Sequence, residues 1–416
     1  MAITGAPRLA PRSITVGYDL KLRTNTIVRD IYTYAEGVYN RENQSWPESA
    51  IKLKVKDSTN SSTVITMKEP LSLPGVGGQT PAIGTEEVPV TRDIVLYQAN
   101  YRKVIPKPGY GLRKMEAEKY KLYDQHEKDV VPWNKEEHGF NIRQGILERY
   151  DHNCVDPASD TAANCVAWWH PNIFLPGLGP YGQPAFNRNR ATHTNNIVAG
   201  LIATGGLGQF ASRTLTAPVL EDLSNWCLNP RKLWPLAMPG MPTGTGFVVT
   251  VSEIQAGLMS NPMYVANNMG SQWISYVNLN DKLLGWPGVI GRYNNMLIVV
   301  DERQPTILAS GSAAPYSMQA GYMVWNSRDL RNRTSANVKD TAFIHGQAHF
   351  AEMEGEPLHW IDDDRDYKFH LGVGTAGVRG DQALVYLDPN TQQVTCMGGA
   401  VAILDFPGQG GQAVTP

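Results

Sequence analysis

The feature that most constrains the fold is a strict alternation, Ile51-Lys-Leu-Lys-Val-Lys56, which suits a strand and no helix. Successive side chains on a strand point to opposite faces, so Ile51, Leu53 and Val55 share one face and Lys52, Lys54 and Lys56 the other. A second apolar stretch, Val64 to Met67, leads into the Gly/Pro-rich segment Leu71-Ser-Leu-Pro-Gly-Val-Gly-Gly-Gln-Thr-Pro-Ala-Ile-Gly84, and a β-type run returns from Asp93 to Ile105. Together these spell a long two-stranded arm. An isolated hairpin is marginal in water, so this one is expected to pack on something else, a neighbouring subunit being the natural candidate. The lysines either meet acidic groups on that neighbour or blunt an exposed edge, and the residues weigh equally for both.

Around this arm the period of the text changes several times. Residues 1 to about 45 carry few periodic apolar positions; through Asp30 they hold Arg8, Arg12, Lys21, Arg23 and Arg29 against Asp19 and Asp30, and read as an arm that straps onto a neighbour. That excess of positive charge suits weak contact with nucleic acid but is far from a dedicated binding domain. After Pro106 and Pro108 the spacing predicts a long helix over Leu112 to Val131, ending at Pro132, and a shorter one over Ile142 to Tyr150. Residues 151–215 are loop-like, an insertion. Helical text returns from Pro218 to Leu228. Phe247 to Val251 reads as a buried strand, Ser252 and Gln255 as a capping box for a helix through Met259, and Met296 to Val300 as a second buried strand. Strand, helix and strand in that order predict an α/β lobe. Tyr367 to Leu371, Ala383 to Leu387 and Val394 to Leu404 are strand text again, with Asp388-Pro-Asn390 turning a hairpin.

Composition narrows the class. The chain has 416 residues, more than one ordinary core, and is 42% hydrophobic without any stretch approaching the roughly 20 unbroken apolar residues of a membrane helix. The first residues lack the apolar core of a secretory signal, so a cytoplasmic setting is expected. Cys154, Cys165, Cys227 and Cys396 match neither a zinc knuckle nor a disulfide framework and read as reduced, mostly buried thiols. The charged fraction, 18%, is below the average of about 25%, leaving surface for interfaces.

Basic arm, long hairpin, long helix, insertion, α/β lobe and returning strands is an order that resembles the Hong Kong 97-type fold of tailed-phage coat proteins. Local text is similar to the major capsid family typified by coliphage N-four. It comprises Leu71-Ser-Leu-Pro-Gly-Val-Gly-Gly78 with Gly84-Thr-Glu-Glu87, Tyr120-Lys-Leu-Tyr-Asp124, Pro235-Leu-Ala-Met-Pro-Gly240, Trp273 in a following helix, Gly288-Val-Ile-Gly-Arg-Tyr-Asn294, Val299-Val-Asp-Glu302, Asp366-Tyr367, Gly372-Val373 and Gly380. The resemblance implies an α+β capsid fold with an amino-terminal arm (1–45), an extended hairpin or E-loop (46–105), a peripheral domain with a spine helix and the insertion (106–231), an axial α/β domain (232–350) and returning peripheral strands with a tail (351–416). It implies a major coat protein that assembles as hexamers and pentamers into an icosahedral head around double-stranded DNA, built in the host bacterial cytoplasm. Scaffold, portal and cement proteins are the further partners it suggests, with no membrane, no cofactor and no catalysis. Candidate subunit contacts are Lys52, Lys54, Lys56, Leu73, Pro74, Val76, Glu86 and Glu87 on the hairpin, and Arg8, Arg12, Lys21 and Arg23 on the arm.

Other motifs in the sequence point elsewhere. Gly372-Val-Gly-Thr-Ala-Gly377 matches a dinucleotide fingerprint, but Val378-Arg-Gly-Asp-Gln continues as strand and offers no helix N-terminus for a pyrophosphate. Glu352, Glu354, Glu356, Asp362, Asp363, Asp364 and Asp366, with His345, His349 and His359, suggest a divalent cation; yet His345-x3-His349 lacks the metalloprotease glutamate and the aspartates read as a solvated turn, so no metal is assigned. Arg379-Gly-Asp381 reads as a tight turn between strands. The competing classes are another virion component, such as a decoration or tail protein, and a metal-dependent cytosolic enzyme centred on 345–366.

Overall fold

The computed structural model of the chain describes residues 30–56, 62–68, 91–107, 130–132, 134, 138–139, 141–143, 145–150, 167–176, 214–229, 231–308, 323–324, 338–365, 370–387 and 394–404. The predicted helix over Leu112 to Val131 falls outside them except at its end, where residues 130–132 are helical.

In chain order the elements begin with a one-turn helix, α1 (Ile31–Tyr34), then β1 (Glu36–Val38), β2 (Lys52–Lys56), β3 (Ser62–Lys68), β4 (Thr91–Tyr97) and β5 (Ala99–Lys107). Residues 141–143 and 145–147 are helical, followed by β6 (Glu148–Tyr150), β7 (Ala167–Trp169), β8 (Ile173–Phe174) and α2 (Ala217–Leu228). The lobe contains β9 (Leu236–Ala237), β10 (Thr245–Val251), α3 (Glu253–Met259), α4 (Pro262–Asn268), β11 (Trp273–Ser275), α5 (Asp281–Leu284), β12 (Val289–Tyr293) and β13 (Met296–Val300). Then come β14 (Thr306–Leu308), β15 (Met323–Val324), β16 (Val338–His345), β17 (Phe350–Arg365), β18 (His370–Ala383), β19 (Val385–Leu387), β20 (Val394–Cys396) and β21 (Gly399–Leu404).

The lobe sheet runs β11-β12-β13-β10-β16-β14-β15, with β21 beside β16, β8 beside β21 and β9 beside β10. Its inner strands are covered on both sides, which is why they read as continuous apolar runs. Phe247, Val249 and Val251 point into one core layer with Val219, Leu220, Leu223, Trp226 and Cys227 of α2 and Ala256 and Met259 of α3. Val248, Leu297, Val299 and Phe343 point into the other, with Ile31 and Tyr32 of α1 and Ile142, Ile146 and Leu147. Each such fully buried side chain contributes about 1.5–3 kcal/mol. α2 has Pro218 in its first turn, which the fixed φ of proline suits. α3 is capped as the sequence predicts: the Ser252 hydroxyl accepts from the Gln255 N–H. β10 and β13 are parallel, with Phe247 opposite Met296 and Val251 opposite Val300, so the predicted strand, helix and strand do form an α/β crossover.

The second sheet runs β1-β2-β17-β18-β5. β2 is parallel to both neighbours, and β17 and β18 form a long antiparallel hairpin. β3 and β4 make the antiparallel hairpin read from the sequence, with Ile65 opposite Ile94. Its inward residues Ile65, Met67, Ile94 and Leu96 pack in one core with Leu53, Val55, Ala351, Met353 and Leu384. The described part of the hairpin is therefore supported by its own chain, where the sequence suggested a neighbour.

Several local expectations change. Residues 31–38, read as arm, are body: Tyr32 is buried and packs edge-on against His345 and Phe350. Part of the insertion is core, since β8 pairs with β21 and Ile173, Phe174 and Leu175 are buried. The helix expected through Tyr150 gives way to β6 at Glu148. β21, assigned to returning peripheral strands, joins the lobe sheet through six residue pairs with β16. Trp273 lies in β11, not in a helix, and its ring occupies the space that a side chain on Gly291 would need. Asp362 to Asp364 are not a turn but continue β17, paired with Val373, Gly372 and Leu371; backbone register, begun at Phe350, outlasts the change in side-chain charge. Arg379-Gly-Asp381 and the Gly372–Gly377 motif both lie within β18.

Candidate functional site

The candidate contact lysines sit on β2, which is an inner strand, so carboxylates approach them from both sides. Lys52 is only 4% exposed; its Nζ lies 2.7 Å from Glu352 Oε2 on β17 and 2.5 Å from Glu36 Oε2 on β1. Burial works against the ammonium, but the two carboxylates outweigh it and hold the group well above the ordinary lysine value. Lys54 pairs with Glu354 at 2.8 Å and keeps about a quarter of its side chain exposed. The backbone of Lys56 stands opposite Glu354. For Lys52 the acidic partners are thus intramolecular, a correction to both sequence alternatives: the strand is neither an edge nor free for a neighbour.

Glu352 belongs to a wider polar cluster. Burial raises its carboxyl, but the His138 ring, with Nε2 3.7 Å from Glu352 Oε2, and the charge of Lys52 prevail and hold it well below the usual range. Asp381 stands opposite it across β17 and β18, and burial together with the Glu352 charge pushes the Asp381 carboxyl up. His138, Glu352 and Asp381 have ligand atoms within 4.8 Å of one another. The Lys52 ammonium already supplies Glu352 with a cation.

A second buried centre ties the lobe to the chain preceding it. Arg143 donates from Nε to Asp301 Oδ2 (2.7 Å), from Nη2 to Asp301 Oδ1 (2.6 Å) and from Nη1 to the Gly139 carbonyl (2.7 Å). Its guanidinium stacks 5.2 Å from the Tyr32 ring centroid. Asp30, which caps α1 through Oδ1, places Oδ2 3.5 Å from Arg143 Nη2. Burial disfavours the guanidinium charge, but Asp301 reverses the balance and raises its pKa.

Of the histidines singled out, His345 and His349 come together, fully buried, with their Nδ1 atoms 2.7 Å apart. His359 lies elsewhere, its Nδ1 3.2 Å from the Pro357 carbonyl oxygen. The sequence reading missed His170, whose Nε2 is 3.1 Å from His349 Nε2, because nothing local marks a histidine inside an apparent loop. Cys227 and Cys396 are buried free thiols, as expected. Leu73, Pro74, Val76, Glu86 and Glu87, and the arm residues Arg8, Arg12, Lys21 and Arg23, lie outside the described residues.

The lobe also presents apolar side chains to solvent. α4 buries none of its residues, and Met263 is 60% exposed. In the one-turn 3-10 helix Tyr276–Asn278, Val277 is 84% exposed. No helix among the described residues is long and apolar enough to cross a membrane.

No protein-family model matches the chain, and no curated protein is similar to it. Solved structures do match. The capsid of Ralstonia phage GP4 is 11% identical over 98% of both chains with a TM-score of 0.45, and the capsid of cyanophage Pam1 is 13% identical over 91% of this chain and 93% of that one, also at 0.45. The head structure of Helicobacter pylori bacteriophage KHP40 is 9% identical over 92% of both chains at a TM-score of 0.50. The shared path with the KHP40 head protein, taken with the two sheets and the crossover lobe, gives this chain the α+β fold of phage head proteins, the Hong Kong 97 type.

Proposed function

We propose that this chain is the major coat protein of a tailed phage, a structural subunit that assembles through repeated contacts between copies into an icosahedral head around double-stranded DNA. The observation that carries the reading is the likeness to the KHP40 head protein along 92% of both chains, which leaves little room for a separate functional module. Exposed apolar groups support it. Met263, Tyr276 and Val277 are each exposed on the lobe, and a subunit of a closed shell buries such groups against its neighbours.

The hairpin tip, with Leu73, Pro74, Val76, Glu86 and Glu87, and the arm, with Arg8, Arg12, Lys21 and Arg23, are the further contacts this reading assigns, the arm meeting a neighbour or, non-specifically, the packaged DNA. Hexamers and pentamers of the chain are the building units, with scaffold, portal and cement proteins as partners, assembled in the host cytoplasm and retained in the virion. Light scattering behind size-exclusion chromatography tests it. Particles of megadalton mass agree with a shell subunit; a monomer that persists with scaffold supplied contradicts it.

A further inference from the structure

His170, His349 and Cys396 are far apart in the sequence, yet their ligand atoms all lie within 4.8 Å of one another, and all three residues are buried. They come from three connections: His170 precedes β8, His349 stands between β16 and β17, and Cys396 ends β20. His170 Nε2 and His349 Nε2 face each other at 3.1 Å. Two ligands of one tetrahedral ion, bound at about 2.0–2.1 Å, stand about 3.3 Å apart, so little movement separates this arrangement from a metal-bound one.

The outer nitrogens are held as those of metal-bound histidines are. His170 Nδ1 lies 3.2 Å from the Asn172 carbonyl oxygen and 3.2 Å from the Asn172 backbone nitrogen, so Asn172 holds it in either tautomer. His349 Nδ1 lies 2.7 Å from His345 Nδ1, whose Nε2 in turn is 3.4 Å from Tyr32 Oη and 3.5 Å from Thr250 Oγ1. With the Nδ1–H of His170 donating to the carbonyl and that of His349 donating to His345, both Nε2 lone pairs point at one place. Outer partners of this kind fix the tautomer and orientation of a ligand ring. In that tautomer the facing lone pairs are bridged by a cation; in the other, with the Asn172 N–H donating to Nδ1, the Nε2 proton of His170 bridges them instead.

The third group, Cys396, is a fully buried free thiol that ends β20 just before the Gly398-Gly399 turn. A side chain on Gly399 would sit 2.5 Å from ring atoms of His349, so only glycine lets this turn close on the imidazole. Asn172, fully buried, donates from Nδ2 to the carbonyls of Cys396 (2.5 Å) and Gly399 (2.9 Å), and its Oδ1 has no hydrogen-bond partner among the described residues. That oxygen is a buried acceptor left unsatisfied two residues from His170.

We propose that His170 Nε2, His349 Nε2 and Cys396 Sγ bind one zinc ion, with Asn172 Oδ1 or a water in the fourth position. Nitrogen and thiolate donors select zinc over calcium or magnesium, and a closed, buried set is the structural type of site. The ion would staple β8, the β16–β17 connection and the β20–β21 turn to one another. The proposal is independent of the coat-protein reading.

The test uses the full chain, without a histidine tag, produced with added zinc and dialysed against a weak chelator. Elemental analysis is expected to find about one zinc per chain, and exchange with cobalt to give the thiolate-to-cobalt charge-transfer absorption of a tetrahedral site. Cys396→Ser should abolish that band, and His170→Gln and His349→Gln should each reduce zinc below about a tenth of an equivalent. Because a buried variant can fail to fold, the unmodified chain decides: if it is folded by circular dichroism, retains less than about a tenth of an equivalent of zinc and gives no cobalt band, the proposal is wrong and the histidines form a metal-free hydrogen-bonded chain.

Discussion

Lys52 and Glu352 meet at 2.7 Å between parallel strands, 300 residues apart in sequence and both nearly closed to solvent. Removing one partner of such a pair strands the other in a poor solvent. Lys52→Met is expected to destabilise the chain by about 3–5 kcal/mol in chemical denaturation, because Glu352 and Glu36 lose their shared cation. Lys54→Met, whose partner Glu354 is 30% exposed, is expected to cost less than about 1 kcal/mol. Equal losses at the two positions would contradict this assignment.

Asp381 predicts a pH effect of opposite sign to its neighbour. Its carboxyl is pushed up in the folded chain, so it contributes most below the ordinary aspartate value and costs stability as pH rises past it. Asp381→Asn is therefore expected to raise the denaturation midpoint at pH 7, with the gain shrinking towards about pH 4. Glu352, held low, contributes above the ordinary glutamate value and loses that contribution as pH falls, so Glu352→Gln should lower the midpoint at pH 7 and converge with the parent in acid. Denaturation curves at the two pH values check both.

Arg143 is 1% exposed and bidentate on Asp301. Arg143→Met leaves Asp301 buried and unpaired, and a loss of about 3–5 kcal/mol is expected from thermal or chemical unfolding. A loss below about 1 kcal/mol would show that the pair does not hold the lobe to the preceding helix.

Val277 tests contact between copies without touching a core. A substitution at a site 84% exposed normally stays within about ±0.5 kcal/mol, so Val277→Asp should leave the unfolding curve of the isolated chain in place. Assembly, followed by light scattering, is expected to fail. Normal particles from the variant would remove this stretch of the lobe from the interface.

The elements legible in the sequence were those whose signal is local. Phe247 to Val251 and Met296 to Val300 are apolar throughout because both faces are covered, and Ser252 with Gln255 marks the start of α3 within three residues. The hairpin of β3 and β4 was likewise visible in its alternation. What escaped depends on partners that the local text does not mark. Whether the lysines of β2 lie at an edge is decided by β17, about 300 residues on; nearer by, Asp362 to Asp364 read as a solvated turn until β18 pairs with them. His170 and Phe174 sit in text without a period and reach the core only because β8 adds to β21.

Negative-stain electron microscopy of the expressed chain, with scaffold supplied, tests the central claim most directly. Closed shells or curved sheets of hexamers tens of nanometres across are the predicted result. A monodisperse small ring or monomer under the same conditions would contradict the coat-protein reading and leave this fold with another use.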